Sequence, residues 1–348
     1  MDIKSLDLKK TKKDYLLELC EKSNKVISKS YTKQKLYDIL IGETLLDVKD
    51  NSIDISKIEC KPAIKWAGGK TQLLEKIFNL FPKKINNYFE LFIGGGSVLI
   101  KLLENKEIKI FDKIFAFDIN KVLIGMYKNI QSNIKELIEY LSNYETKYLS
   151  IQELNGDRNP KDETEALLSK ESYYYWIRMK YNKMNIENKI KPEGSALFIF
   201  INKTCFRGLH REGPNGFNVP FGNYIKPDFG IDNLRNLSKL FQNVIFEVMD
   251  YKDAFKKISN DDFVYLDPPY VPIDKKSFVK YNECGFDEKE HLELFKLAKT
   301  KSFLMSNSNA TIVIDNFKDC KINYIQAKRS INSSNPESKT TETLIYNY

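Results

Sequence analysis

From residue 59 onward, short runs of β-branched and aromatic residues alternate with stretches of helical character. The runs occupy residues 88–93, 114–119, 244–248, 263–267, 303–306, 324–327 and 343–346. Short apolar runs of this composition suit strands, while apolar residues recurring every three to four positions suit helices. Strands regularly separated by helical stretches predict an α/β fold with a mostly parallel, doubly wound sheet.

The alternation lapses between residues 131 and 242. There the chain offers a polar, aromatic-rich stretch, ESYYYWIRMKYNKMN, then the apolar run ALFIFIN, then a Gly/Pro/Arg-rich segment, TCFRGLHREGPNGFNVPFGNY. A loop-rich insertion of this length inside an α/β domain points to function. The first 58 residues differ again: they mix lysines and acids, contain no proline, and hold helix-like stretches at 10–21 and 32–41 around an extended loop. In outline this resembles small SAP-type DNA-binding modules, but a neutral helical cap on the main domain is the favoured reading. The expected organisation is an N-terminal helical appendage over 1–58, a main α/β domain over 59–130 and 243–348, and an inserted, mostly helical segment over 131–242.

Bulk properties narrow this picture. The 348 residues are 42% hydrophobic, enough for one large α/β domain and a smaller insert. A net charge of +8 suits a polyanionic partner without requiring one. Five scattered cysteines and two histidines lack metal-ligand spacing, so neither a zinc site nor a disulfide framework is expected, and no metal is assigned. No apolar run approaches the roughly 18 residues of a membrane span, and the start is charged rather than signal-like. A cytoplasmic protein, or one located wherever genomic DNA resides, follows: not secreted, without membrane contact, and a monomer or weak dimer.

Two segments carry chemistry. In YFELFIGGGSVLIKLL, a strand feeds a glycine turn, Gly94 to Gly96, and then a helix-forming run. Such a turn lets backbone approach a ligand and presents helix N-terminal amides. A second strand, KIFAFDIN, ends in Asp118, whose carboxylate can accept both ribose hydroxyls of a nucleoside cofactor. In FVYLDPPY, Asp267 ends an apolar strand, and two prolines stop ladder pairing and hold the chain extended. The Asp267 carboxylate and the Pro268 carbonyl can each accept a proton of an NH2 group, with Tyr270 offering a face to a planar base. Accepting both N–H bonds moves the nitrogen toward sp3 character and frees its lone pair for attack on a methylsulfonium. An ordinary aspartate pKa would serve.

The order KWAGGK (65–70), ELFIGGGSV (90–98), FDIN (117–120), GFNVPFGNY (216–224), DPPY (267–270) and SNSN (306–309) resembles the Dam-type (alpha-group, DpnII-like) family of DNA adenine-N6 methyltransferases. The resemblance covers roughly residues 59–348. It implies a Rossmann-like seven-stranded methyltransferase sheet with S-adenosyl-L-methionine as cofactor and double-stranded DNA as partner. It further implies cofactor contacts from Trp66, Ala67, Gly68, Lys70, Phe92, Gly94, Gly96 and Asp118, with Asp267 touching both cofactor and target amine. A restriction endonuclease acting separately is the candidate companion.

An adenine in duplex DNA must be flipped out before its N6 can react. Phe206, Leu209 and Tyr224 are candidate wedges for the vacated stack. Two of only six arginines, Arg207 and Arg211, fall within CFRGLHR. Arginine pairs bidentately with guanine, and Arg211 is the first choice for that contact. Arg207 stands where GATC-specific members of the resembling family carry asparagine. A four-base palindrome containing A is therefore expected, with GATC and CATG as the forms to test. Asn218 and Pro220 of the recognition hairpin, and Arg329 and Ser330 in the polar segment KRSINSSNPESK, complete the expected DNA contacts. Lys180, Lys183, Lys203, Lys226 and Lys328 are candidates for phosphates. Two rivals remain: an adenine of RNA or a protein amide as substrate, or a catalytically silent DNA-binding protein of the same fold.

Overall fold

The strand-forming runs assemble into one sheet with helices on both faces. The computed structural model describes residues 13, 15, 16, 59–154, 156–273, 286–328 and 339–348. The chain divides into two units, Met1–Ile58 and Glu59–Tyr348. In the first unit the described residues Lys13, Tyr15 and Leu16 are helical; the rest of the expected helix–loop–helix lies outside the described residues, as do Arg329 and Ser330.

In the second unit the strands are β1 (Lys84–Ile85), β2 (Tyr88–Glu90), β3 (Lys109–Ile110), β4 (Ile114–Asp118), β5 (Glu212–Gly213), β6 (Gly216–Phe217), β7 (Val244–Val248), β8 (Phe263–Leu266), β9 (Ser302–Ser308), β10 (Lys321–Lys328) and β11 (Lys339–Tyr346). Seven form one sheet in the order β10-β11-β9-β8-β2-β4-β7. The pairings β9–β8, β8–β2, β2–β4 and β4–β7 are parallel, and only β11 runs antiparallel, between β9 and β10. All seven expected runs are strands of this sheet. The last two strands, β10 and β11, are each four residues longer than expected, and β2 stops three residues short, at Glu90, where the chain turns toward the glycines.

Adjacent residues on the central strands enter opposite cores, as a two-residue period demands. Tyr88, Ala116, Phe263 and Tyr265 pack on one face, against the helices Ser97–Glu104 and Lys121–Ser132. Phe89, Phe117, Val264 and Leu266 pack on the other, with Ala254 and Phe255 of Tyr251–Lys257 and Leu294 and Phe295 of Glu288–Ala298. From β2 the chain winds outward through β4 to β7, then returns to β8 on the far side of β2. The carboxyl ends of β2 and β8 therefore flank a topological switch point, where α/β sheets bind ligands.

ALFIFIN lies within the helix Pro192–Thr204, most of which is buried. Apolar residues all round suit a helix with no solvent face. It packs against Ile134–Ser150 and Lys170–Lys183. Their side chains, including Tyr148, Tyr173 and Phe200, join the same hydrophobic cluster as Tyr88, so the inserted segment shares a continuous core with one face of the sheet. No helix among the described residues is long and apolar enough to cross a membrane.

Candidate active site

The glycine turn is held from both sides by aromatic rings. Gly94 and Gly96 have φ of +49° and +73°, in the left-handed region that side chains disfavour. A Cβ at Gly96 would lie 2.6 Å from the Tyr127 hydroxyl, and one at Gly94 3.0 Å from the Trp66 indole. The Tyr127 hydroxyl donates to the Gly94 carbonyl at 2.9 Å. Gly96 itself shapes the turn; Gly94 and Gly95 line the cavity.

Asp118, at the end of β4, accepts the Gly94 N–H on Oδ2 at 3.2 Å and the Asn120 N–H on Oδ1 at 2.9 Å. Burial raises its pKa, and the amides of Asn120, Gly94 and Ile119 act in the opposite direction. Each oxygen of a carboxylate can accept more than one bond, so capacity for two further hydroxyls remains.

Asp267 leaves β8 at the neighbouring strand end. Its Oδ2 lies 2.7 Å from the Lys70 ammonium, whose side chain is only 5% exposed. Lys70 also donates to the Gly68 carbonyl and stands 4.9 Å from the centroid of the Tyr270 ring. Lys70, expected among the cofactor contacts, has its ammonium on the carboxylate of DPPY. Burial raises the Asp267 pKa from its ordinary value, and Lys70 opposes that rise. Below it, the buried Glu90 accepts the Tyr88 hydroxyl at 2.7 Å, and desolvation pushes its pKa up to about 8. Burial thus favours the protonated form of Glu90, and the ion pair of Lys70 is with Asp267.

The SNSN segment fixes DPPY from β9. The Tyr265 and Ser306 hydroxyls lie 2.8 Å apart, Asn307 Oδ1 accepts the Val271 N–H at 3.2 Å, and the Ser308 hydroxyl donates to the Val271 carbonyl. The prolines stiffen the turn locally, and these bonds set its direction. Trp66, Ala67, Gly68, Lys70, Phe92, Gly94, Asp118, Asp267, Pro268 and Tyr270 all line one cavity of about 2010 Å³, which also reaches Arg207 and Leu209.

The Gly/Pro/Arg-rich segment folds back on itself. Phe206 N–H donates to the Pro220 carbonyl at 2.8 Å, Gly222 N–H to Thr204 at 2.9 Å and Asn218 N–H to Arg211 at 3.0 Å. Phe206, Arg207, Arg211, Asn218 and Pro220 are exposed, whereas Leu209 and Tyr224 are half-buried. Arg207 has φ +56°, rare outside glycine, and its guanidinium lies over the Phe206 ring at 5.2 Å. Arg211 is braced by Asn218, Nε to Oδ1 at 2.6 Å. Among the lysines expected to meet phosphates, Lys180 is engaged by Glu193 at 2.6 Å, and burial pushes the Lys203 pKa down.

Several residues of this region escape a linear reading. Lys65 lies 3.2 Å from the Tyr224 hydroxyl and packs on Gly208. The His210 ring lies tilted against Trp66, centroids 5.0 Å apart, with its Nε2 3.7 Å from a Glu212 carboxylate oxygen, placing it between the β5–β6 hairpin and the glycine turn. Asn202 and Glu342 contribute through partners distant in sequence. Only Lys65 had a signal, as the first residue of KWAGGK.

Comparison with known proteins matches this geometry. The family model for D12 class N6 adenine-specific DNA methyltransferases matches residues 66–331. The chain is 35% identical over 307 residues to the type II methyltransferase M.MjaIII of Methanocaldococcus jannaschii, covering 84% of this chain and all of that protein. It is 31% identical over 310 residues to the type II methyltransferase M1.LlaDCHI of Lactococcus lactis subsp. cremoris, covering 86% and 99%. Against the DNA adenine methylase of Escherichia coli K12 it is 27% identical over 292 residues, covering 82% and 94%. With a parallel sheet whose switch point carries the glycine turn and DPPY, the chain belongs to the D12 class of N6 adenine-specific DNA methyltransferases.

Proposed function

We propose that the enzyme methylates a flipped-out adenine within a short palindromic site of duplex DNA, using S-adenosyl-L-methionine. The observation that carries this reading is the convergence of Asp118, the glycine turn, Asp267 and Tyr270 on one cavity that also reaches the Arg207 turn. The fit to the cofactor rests on the spare acceptor capacity of Asp118 beside a turn with no room for side chains at Gly94 and Gly96. Trp66, Phe92, Gly94 and Asp118 would hold it. Bound there, it supplies an electrophilic methyl group on a sulfonium.

The protein's own part is positional and electrostatic. Asp267 and the Pro268 carbonyl accept the two N6 protons, and Tyr270 stacks on the base. Lys70 opposes the burial that raises the Asp267 pKa and so favours the carboxylate, which accepts an N–H better than a protonated acid does. Exposed Phe206 and half-buried Leu209 suit wedging into the duplex, while Arg211 reads guanine and Arg207 sets the target apart from simple inheritance of GATC. The recognition segment spans residues 131–242, and GATC and CATG are the two sites to test first.

Measuring tritiated methyl transfer to duplex DNA, RNA and protein with wild type and Asp267→Ala tests the reading. Label on DNA alone, lost in Asp267→Ala, is expected. Label confined to RNA or protein, or undiminished in the variant, would sink it.

A further inference from the structure

The half-buried carboxylate of Glu342, which the reaction as described does not use, is bonded to Tyr270. Glu342 lies on β11, the antiparallel strand, opposite Ser308 of β9 and Ile325 of β10. Its Oε2 accepts the Tyr270 hydroxyl at 2.9 Å, and it lines the same cavity as Asp267. Among the described residues it forms no ion pair. A phenol bonded to a carboxylate makes a charge-assisted hydrogen bond, stronger than one between neutral groups.

The Tyr270 ring is thereby fixed at two places. Lys70 stands over it at 4.9 Å, and Glu342 holds its hydroxyl end. The prolines restrain the backbone before Tyr270 but leave its side-chain torsions free. Without the carboxylate, the ring could swing across the space a base would enter.

We propose that Glu342 is a positioning residue that holds Tyr270 as a fixed stacking platform for the target adenine. The proposal rests on the reading of Tyr270 as that platform. Glu342 acts through the ring, so removing either end of the hydrogen bond has the same consequence. Tyr270→Phe keeps the aromatic face and loses only the anchor.

The test is a double-mutant cycle of Glu342→Ala, Tyr270→Phe and both together, with Glu342→Gln as the conservative variant. Steady-state methylation of a duplex is followed alongside the fluorescence of 2-aminopurine placed at the target adenine. Each single variant is expected to lower kcat roughly five- to twentyfold with a smaller change in KM, and the double variant no further than about twofold below either. Glu342→Gln retains an acceptor and should stay within about threefold of wild type. In both single variants 2-aminopurine emission in the complex should rise roughly twofold, because a loose ring quenches the flipped base less.

Wild-type kcat and emission in Glu342→Ala, or losses that multiply in the double variant, would overturn the proposal. If wild type itself transfers no methyl group to duplex adenine, the functional reading fails and takes this proposal with it. An active wild type with an indifferent Glu342→Ala removes this proposal alone.

Discussion

Asn202 and Lys65, 137 residues apart in sequence, are joined by two hydrogen bonds: the Lys65 N–H donates to Asn202 Oδ1 at 2.8 Å, and Asn202 Nδ2 donates to the Lys65 carbonyl at 2.8 Å. The same Nδ2 reaches the Gly208 carbonyl at 3.2 Å. One buried amide thus holds the start of the KWAGGK loop and the Arg207 turn together. Asn233 repeats the arrangement four residues earlier, with bonds of 2.9 and 2.8 Å to the Lys61 N–H and carbonyl.

Asn202→Ala removes three hydrogen bonds from a side chain with no solvent access, and should lower stability by roughly 2–4 kcal/mol. Asn233→Ala, at an exposed clamp, should cost under about 1 kcal/mol. Denaturant midpoints compare the two. Equal losses would show that the Asn202 contact to Gly208 and its burial contribute nothing extra.

Lys70→Met probes the charge balance at DPPY. Asp267 is taken to work ionised, so activity rises as pH climbs through its pKa. Burial has already moved that pKa upward, and Lys70 is the main influence pulling it down. Removing Lys70 should shift the acid limb of the kcat profile to higher pH and cut the rate at pH 7 by roughly tenfold or more. An acid limb at its wild-type position would show that Lys70 does not govern Asp267 ionisation.

Gly96→Ala combines left-handed strain with a Cβ 2.6 Å from the Tyr127 hydroxyl. The backbone term alone costs about 1–2 kcal/mol, and the contact adds to it. Thermal melting should show the loss, and binding of S-adenosylhomocysteine should weaken because the turn carrying Gly94 moves. Adding Tyr127→Phe relieves the contact, and should recover part of the stability but not the strain.

Arg211→Ala tests the base-reading role. Loss of a bidentate guanine contact should cost roughly 1–3 kcal/mol and relax one position of the site. Methylation rates on duplexes substituted base by base separate this from a phosphate contact, which would weaken all sequences alike.

The strands and the cavity lining were legible in the sequence because both rest on local signals. Alternating runs marked all seven strands of the sheet, and the glycine turn, Asp118 and Asp267 stand at strand ends where backbone geometry is stated by glycine and proline. The contacts that regulate those groups were not legible. Lys70 sits 197 residues from Asp267, and Tyr270 sits 72 from Glu342. Such pairs arise only once β2, β8, β9 and β11 lie side by side, and nothing in a linear pattern records that adjacency. Burial of Asp267, which raises its pKa, is likewise a tertiary property that no local pattern around DPPY states.

The most direct measurement is base-resolved mapping of modified adenines in DNA from a methylation-free host expressing either wild type or Asp267→Asn. Wild type should leave N6-methyladenine at one short palindromic sequence on both strands, and Asp267→Asn should leave almost none. Methylated adenines without a common sequence, or an unchanged pattern with Asp267→Asn, would contradict site-specific methyl transfer governed by the DPPY carboxylate.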